Sequence, residues 1–369
     1  MAGLYIHVPF CASRCIYCDF YSTTLRGRGA AYVEALRREM AERRSFLHEA
    51  VRTVYVGGGT PSQLGWTCLG SLLQAVADNF DLSQCIETTV EVNPEDVTDD
   101  LRLPQPGLRI SMGVQSMVDD ELRLLHRRHD AQRVREAVER LRRAGVGNLS
   151  LDLMYGLPTQ TLQSWDYSIS EVLRLNPQHI SAYNLMVEDG TRLSTLVRRG
   201  QLTPCDDDTC LAMARLLRDR LREAGYCQYE ISNYALPGFH SRHNASYWCQ
   251  TPYLGLGPGA HSYDGDRLRC WNEPYVLRYL RGQRCEGSET LSDTDLYNER
   301  LMLGLRTREG ADIRALRLMH TRLQPDTDFD AQLHDLTARG LVCHDDTRLT
   351  LTEAGLALSD AVIRDLMIV

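Results

Sequence analysis

The stretch Leu4-Tyr5-Ile6-His7-Val8-Pro9-Phe10-Cys11-Ala12-Ser13-Arg14-Cys15-Ile16-Tyr17-Cys18 runs from a β-like apolar segment straight into three cysteines spaced C-x3-C-x2-C. A tight loop following a strand can set three thiolates around one iron–sulfur cube, for which thiolates are the usual ligands. Three protein ligands for four irons leave one iron open, as catalytic zinc sites keep one position for substrate. A zinc site would want a fourth ligand, and His7 and Asp19 are near enough in sequence to supply it, so zinc is the competing reading.

Outward from this loop, short β-like runs alternate with amphipathic stretches as far as about residue 230. The strand candidates are 4–8, 53–56, 88–92, 109–114, 149–154 and 180–185. Between them lie helical patterns at 32–47, 69–79, 131–144, 163–175 and 209–224, with Leu and Ala on one face and Arg and Glu on the other. Alternation of this kind implies parallel strands with crossover helices. Six such units predict an α/β fold built as a partial or complete barrel, with a doubly wound sheet as the main alternative. Polar residues at nearly every strand end favour the barrel. The second strand runs into Gly57-Gly58-Gly59-Thr60, the third carries Glu91 and Asn93, the fourth ends at Gln115, the fifth holds Asp152 and the sixth Asn184. In parallel α/β folds the strand C-termini form the active face. Three successive glycines followed by Thr60 and Pro61 allow positive φ and close backbone approach, and the absence of G-x-x-x-x-G-K-[ST] excludes a phosphate loop.

Composition narrows the function classes. Hydrophobic residues make up 43% and charged residues 24% of the 369, as in an ordinary globular protein. The net charge of −8 argues against a nucleic-acid partner. All 41 basic residues are Arg, which excludes a Schiff-base lysine. The N-terminus lacks a signal-peptide pattern, and no apolar run is long enough to span a membrane. Twelve cysteines without an export signal point to reduced thiols and a cytoplasmic location. Nine of them show no ligand spacing.

After residue 230 the pattern turns irregular and rich in Gly, Tyr, His and Asn. The expected organisation is a core over 1–230, an irregular connecting region over 231–290 and a C-terminal domain over 291–369. The last holds helices at 293–305 and 328–339, a hairpin-like 341–352 and a final helix at 353–366, an order like that of a winged helix. Lacking a basic recognition helix, it reads as an interaction or covering module.

The segment YIHVPFCASRCIYCDF resembles the signature of the radical S-adenosylmethionine (radical SAM) superfamily. With GGGTPS at 57–62, SMGVQS at 111–116, DLMYGLP at 152–158 and HNASYW at 243–248, the chain resembles the HemN/HemW family of oxygen-independent coproporphyrinogen III dehydrogenases and heme chaperones. The resemblance covers nearly the whole chain. It implies a partial (β/α)6 radical SAM barrel with a smaller C-terminal α/β domain, a [4Fe–4S] cluster on Cys11, Cys15 and Cys18, and SAM beside its open iron. It places SAM contacts at Tyr5, Tyr17, Gly58, Gly59, Thr60, Glu91, Gln115, Arg127, Asp152 and Met186. It also implies heme as a ligand, with His243 and His261 as candidate contacts, together with heme-accepting apoproteins and an electron donor for the cluster. Any membrane association would come through a partner. Two departures separate the chain from the dehydrogenase: Phe20 stands where that pattern has a fourth cysteine, and only ten residues precede Cys11. Both point to the chaperone.

Overall fold

The computed structural model describes residues 2–99 and 101–368. Six parallel strands lie side by side in chain order: β1 (Ala2–Val8), β2 (Val51–Gly58), β3 (Glu87–Val92), β4 (Arg109–Gln115), β5 (Asn148–Tyr155) and β6 (His179–Asn184). Each follows the sequence expectation to within two residues at either end. Leu4, Ile6 and Val8 of β1 are fully buried. The alternate positions are covered too, with Tyr5 alone half-buried between Ala2 and Val8, as in a strand packed on both faces.

The crossovers carry α1 (Gly29–Arg43), α2 (Trp66–Asn79), α3 (Asp119–Leu124), α4 (Ala131–Arg143), α5 (Leu162–Arg174), α6 (Arg192–Arg198) and α7 (Asp207–Glu223). Their starts are written locally. Asp130 accepts from Arg133 N, Thr161 forms a capping box with Ser164, and Asp206 accepts from Thr209 N. Each such cap is worth about 1 kcal/mol. Leu36, Leu69, Leu72, Val134, Leu141 and Trp165 then seal the helices onto the sheet.

The region expected to be irregular is largely ordered. The strands β7 (Cys227–Gln228) and β8 (Asn233–Ala235) run antiparallel beyond β6. Next come α8 (Arg242–Trp248), β9 (Tyr253–Leu256), β10 (His261–Tyr263), β11 (Leu268–Asn272), α9 (Val276–Leu280) and β12 (Glu286–Thr290). β9 pairs in parallel with the free side of β1, and β10 to β12 continue the sheet antiparallel. These strands are only two to five residues long, and β8 and β9 join the sheet through distant partners in β6 and β1, so period and propensity do not reveal them. α8 closes the N-terminal end of the barrel, where the Glu87 carboxylate accepts from the backbone N–H groups of Arg242 and His243 at 2.9 and 3.0 Å.

Glu39 of α1 fastens the extension to the barrel. Its buried carboxylate accepts from Gly257 N at 2.9 Å, Asn272 Nδ2 at 2.7 Å, Tyr279 Oη at 2.6 Å and Arg43 Nη1 at 3.2 Å.

The C-terminal module is α10 (Asp293–Leu305), β13 (Ala311–Asp312), α11 (Ile313–Leu323), α12 (Phe329–Ala338), β14 (Val342–His344), β15 (Arg348–Leu351), α13 (Glu353–Ala357) and α14 (Ser359–Leu366). Tyr297, Leu301, Ile313, Leu333, Leu349 and Val362 give it a core of its own. The single helix expected over 353–366 is broken at Leu358, which leaves helical dihedrals at φ −121°, ψ 25°. Backbone bonds Ile231 N to Arg306 O and Arg308 N to Tyr229 O, both 3.1 Å, dock the module on the barrel. Among the described residues no helix is long and apolar enough to cross a membrane.

Replacing Glu39 by Ala would strand buried donors on three segments. The expected result is a loss of about 2–4 kcal/mol in urea unfolding with the secondary structure retained. An unchanged midpoint would mean the extension is held by packing alone.

Candidate functional site

Because β1 to β6 run parallel, their C-terminal ends lie on one side, and the cysteine loop crosses it directly after β1. Loop and neighbouring strand are stitched together: Gly59 N donates to Val8 O and Thr60 N to Phe10 O, both at 2.8 Å, and Cys11 N donates to Thr23 O at 2.9 Å. The glycines serve this stitching. A Cβ on Gly59 would lie 2.8 Å from Val8 O, and one on Gly58, whose φ is +110°, would lie 2.5 Å from the His7 ring. The close backbone approach expected of these glycines is seen between their loop and the cysteine strand.

A directed hydrogen-bond chain joins two of the cysteines. Arg127 Nη2 donates to Asn93 Oδ1 at 2.6 Å, Asn93 Nδ2 donates to Thr60 Oγ1 at 3.2 Å, and Thr60 Oγ1 donates to Cys11 Sγ at 3.5 Å. The other arm of the same guanidinium donates to Cys15 Sγ at 3.4 Å, and Nη2 also reaches Gly113 O at 2.6 Å. Arg127 stays charged: burial works against the cation, but Tyr17, Cys15 and Glu95 outweigh it. Asn93 was recognised in the sequence only as a polar strand end, and its place two residues after Glu91, on the same side of the strand, was the available signal.

Gln115 ends β4 in the left-handed region, with φ +69°, beside a register shift in the β4–β5 ladder. Its amide lies with Arg127 and Asn93 around the position a Gly113 Cβ would take. Strain in a non-glycine residue marks a position that its surroundings over-determine. Tyr17 packs near Leu125, Met154 and Leu157. Met186, beyond β6, is 61% exposed.

Glu91 and Asp152 line the barrel interior. Glu91 accepts from Tyr55 Oη at 2.7 Å and from Gly58 N at 3.1 Å. Ser111 Oγ lies 3.2 Å from each Asp152 oxygen. Burial, reinforced by Asp152, pushes the Glu91 carboxyl up to about 7, and burial also raises Asp152. Tyr5 stacks near Tyr55 and bonds His7 Nδ1 at 3.0 Å.

The thiols suit a cluster better than zinc. His7 Nε2 is engaged by Tyr21 O at 2.9 Å, so both nitrogens of the rival ligand are taken, and Asp19 is exposed. Among the described residues no three His, Cys, Asp or Glu side chains converge on one ion. Thiolates around a cube each face a different iron and need not converge. Burial raises the Cys11 thiol and pushes Cys18 up to about 11. The hydrogen-bond donors aimed at Cys11 and Cys15, and a bound metal, both favour the thiolate.

The two histidines expected to face heme have different surroundings. His243 is 1% exposed, with Nδ1 on Thr53 Oγ1 at 2.8 Å and Nε2 on Tyr247 Oη at 2.9 Å. Both nitrogens are occupied, so here the ring is part of the plug at the barrel's N-terminal end and has no lone pair free for iron. His261 is exposed on β10, its ring stacked at 5.7 Å on Trp271 of β11.

A parallel barrel with three clustered cysteines on the β1 loop defines a radical SAM protein, and residues 5–172 match the radical SAM superfamily and 291–358 the HemN C-terminal domain. The chain is 35% identical to the heme chaperone HemW of Lactococcus lactis subsp. lactis, over 99% of this chain and 97% of that one. It is 36% identical to HemW of Mycobacterium tuberculosis over 99% and 94%, and 33% identical to HemW of Escherichia coli K12 over 96% and 94%. It belongs to the HemW family. In fold it is similar to coproporphyrinogen III oxidase (HemN) of Escherichia coli, a radical SAM enzyme, with a TM-score of 0.81 at 22% identity over 99% of this chain and 90% of that one. The cofactors that come with the superfamily are a [4Fe–4S] cluster and SAM.

The raised Glu91 value carries a pH signature. The folded state holds this proton more tightly than the unfolded chain, so the contribution is complete below the unfolded pKa and lost as pH rises through about 7. In protein free of cluster and SAM, Glu91→Gln should gain stability relative to the native chain between pH 5 and 8, by up to about 3 kcal/mol. A difference constant with pH, measured by thermal unfolding, would contradict the assignment.

Proposed function

We propose that this chain is a heme chaperone: it binds heme and delivers it to apoproteins, with a [4Fe–4S] cluster on Cys11, Cys15 and Cys18 and SAM at the strand C-termini. The observation that carries this reading is similarity along nearly the full length to proteins named heme chaperone HemW. Phe20, 65% exposed beside the cysteine loop, supports it, because the dehydrogenase pattern has a fourth cysteine there.

In this reading Gln115, Arg127, Glu91 and Asp152 offer the charged and hydrogen-bonding groups that SAM's carboxylate, amine and ribose hydroxyls require. Tyr5 and Tyr17 would supply aromatic walls, the backbone at Gly58–Thr60 would border the amino-acid end, and Met186, exposed beyond β6, would be covered by the adenosine. When bound, the cluster supplies an electron and an open iron. The protein's own task is to hold the thiolates, fix SAM and limit water. For heme, His261 is the better-placed histidine, because it is exposed on β10 and an imidazole nitrogen is a usual axial ligand of heme iron.

Replacing Cys11, Cys15 or Cys18 by Ala should abolish iron and sulfide in anaerobically reconstituted protein, whereas Cys68→Ala and Cys343→Ala should retain both. Full cluster in a triple variant, or stoichiometric zinc in its place, would contradict the metal assignment.

Hemin titration should give one bound heme per chain, and His261→Ala should move the Soret band and weaken binding about tenfold, the scale of about 1.4 kcal/mol. No hemin binding by the native protein would overturn the chaperone reading. Catalytic conversion of coproporphyrinogen III with SAM and a reductant would replace it with the dehydrogenase.

A further inference from the structure

A second hydrogen-bond chain leaves the barrel interior at Asp152 and ends at the junction with the C-terminal module. Ser150 Oγ lies 3.4 Å from Asp152 Oδ1, on the same side of β5. The same oxygen is 2.8 Å from His179 Nδ1 on β6, and His179 Nε2 is 2.8 Å from Tyr229 Oη. Ser150 and His179 have no solvent exposure, and Tyr229 is nearly buried. Tyr229 is fixed at the outer end: its hydroxyl accepts from Ser241 N at 3.3 Å, its carbonyl accepts from Arg308 N at 3.1 Å, and its ring stacks on His240 at 4.4 Å.

Only one arrangement of protons satisfies these atoms when Asp152 is ionised. Burial, then the Arg109 charge, holds His179 well below the ordinary imidazole value, so the ring is neutral with a single N–H. Ser150 must donate to the carboxylate, which leaves its oxygen to accept from His179 Nδ1–H. His179 Nε2 is then the acceptor of the Tyr229 hydroxyl. Every donor in the chain points toward Asp152. Ser111 adds a hydroxyl from β4, and Arg109 supplies the nearby positive charge, while Glu91 opposes it. A buried carboxylate is costly unless hydrogen bonds hold it, and aligned bonds strengthen one another.

We propose that Ser150, His179 and Tyr229 are positioning residues that act through Asp152, holding its carboxylate oriented as the acceptor for a SAM ribose hydroxyl. The inference rests on the assignment of Asp152 to SAM made above. None of the three touches the ligand, and their effect on binding travels only through that carboxylate. Because Tyr229 is pinned by Arg308, the same chain ties the order of the SAM site to the docking of the C-terminal module.

The test combines a double-mutant cycle with a direct reading of the histidine tautomer. SAM affinity is measured by calorimetry on cluster-loaded full-length protein. Tyr229→Phe should weaken SAM about threefold to tenfold in the native background and change nothing further in the Asp152→Asn background. Tyr226→Phe is the control for a merely structural effect, since that buried hydroxyl donates to Pro177 O at 2.5 Å outside the chain, and it should leave SAM affinity unchanged. Nitrogen-15 NMR of histidine-labelled protein should place the His179 proton on Nδ1 in the native chain, with both tautomers populated in Tyr229→Phe. Equal losses in the two backgrounds, or a proton on Nε2 in the native protein, would overturn the proposal. Normal SAM binding by Asp152→Asn would instead remove Asp152 from the SAM site, and the tautomer would still decide whether the chain exists.

Discussion

The guanidinium of Arg127 is the point on which the functional end of the barrel depends. It sits where β3, β4 and the cysteine loop meet, giving one arm to Asn93 and Gly113 and the other to Cys15. Through Asn93 and Thr60 its polarity reaches Cys11. One half-buried cation thus orients donors toward two thiols and faces the strained Gln115 from across Gly113. A planar fork with five fixed donors can span three elements in this way, and a lysine point charge could not. In a chain without lysine the choice has no alternative, but the geometry uses what is specific to arginine.

The layout of the barrel divides the labour between its two ends. At the C-terminal end the strands stop in polar residues and the loops carry cysteines and glycines. At the N-terminal end α8 and the segment before it form a plug held by Glu87, Thr53 and Tyr229. Between the two ends Tyr55 and Glu91 stand over His243, whose ring stacks on Tyr55 at 5.1 Å. Two carboxylates with raised proton affinity share this interior with one guanidinium, an arrangement suited to receiving a ligand rich in hydroxyl and amino groups.

Much of this was legible in the sequence. Buried parallel strands write their own signal, because an unbroken apolar run bounded by glycine or a polar residue has few other readings, and β1 through β6 were found on that ground. The cysteine spacing is equally local. The strands β9 to β12 escaped because they run only three to five residues each, and the first of them, β9, is anchored on β1 some 250 residues earlier in the chain. The surroundings of His243 are equally long-range. Its motif, with Asn244, Tyr247 and Trp248, reads as a binding loop, yet its Nδ1 is taken by Thr53 across 190 residues. The three glycines read as a place of close approach, and Val8 and His7 of the protein itself are what the backbone of Gly59 and Gly58 comes close to. The chain from Asp152 to Tyr229 could not be read at all, since Ser150, His179 and Tyr229 become neighbours only once β5 and β6 pair and the segment after β7 folds back.

The central claim is that three thiolates hold a cube with one iron left for SAM. Electron paramagnetic resonance of the anaerobically reduced protein addresses it directly, because SAM coordinated to the open iron changes the electronic structure of the whole cluster. The account predicts a [4Fe–4S] signal whose g values shift when SAM is added, and whose shift is lost when Arg127 is replaced by Ala and SAM binding fails. A spectrum indifferent to saturating SAM in the native protein would contradict it.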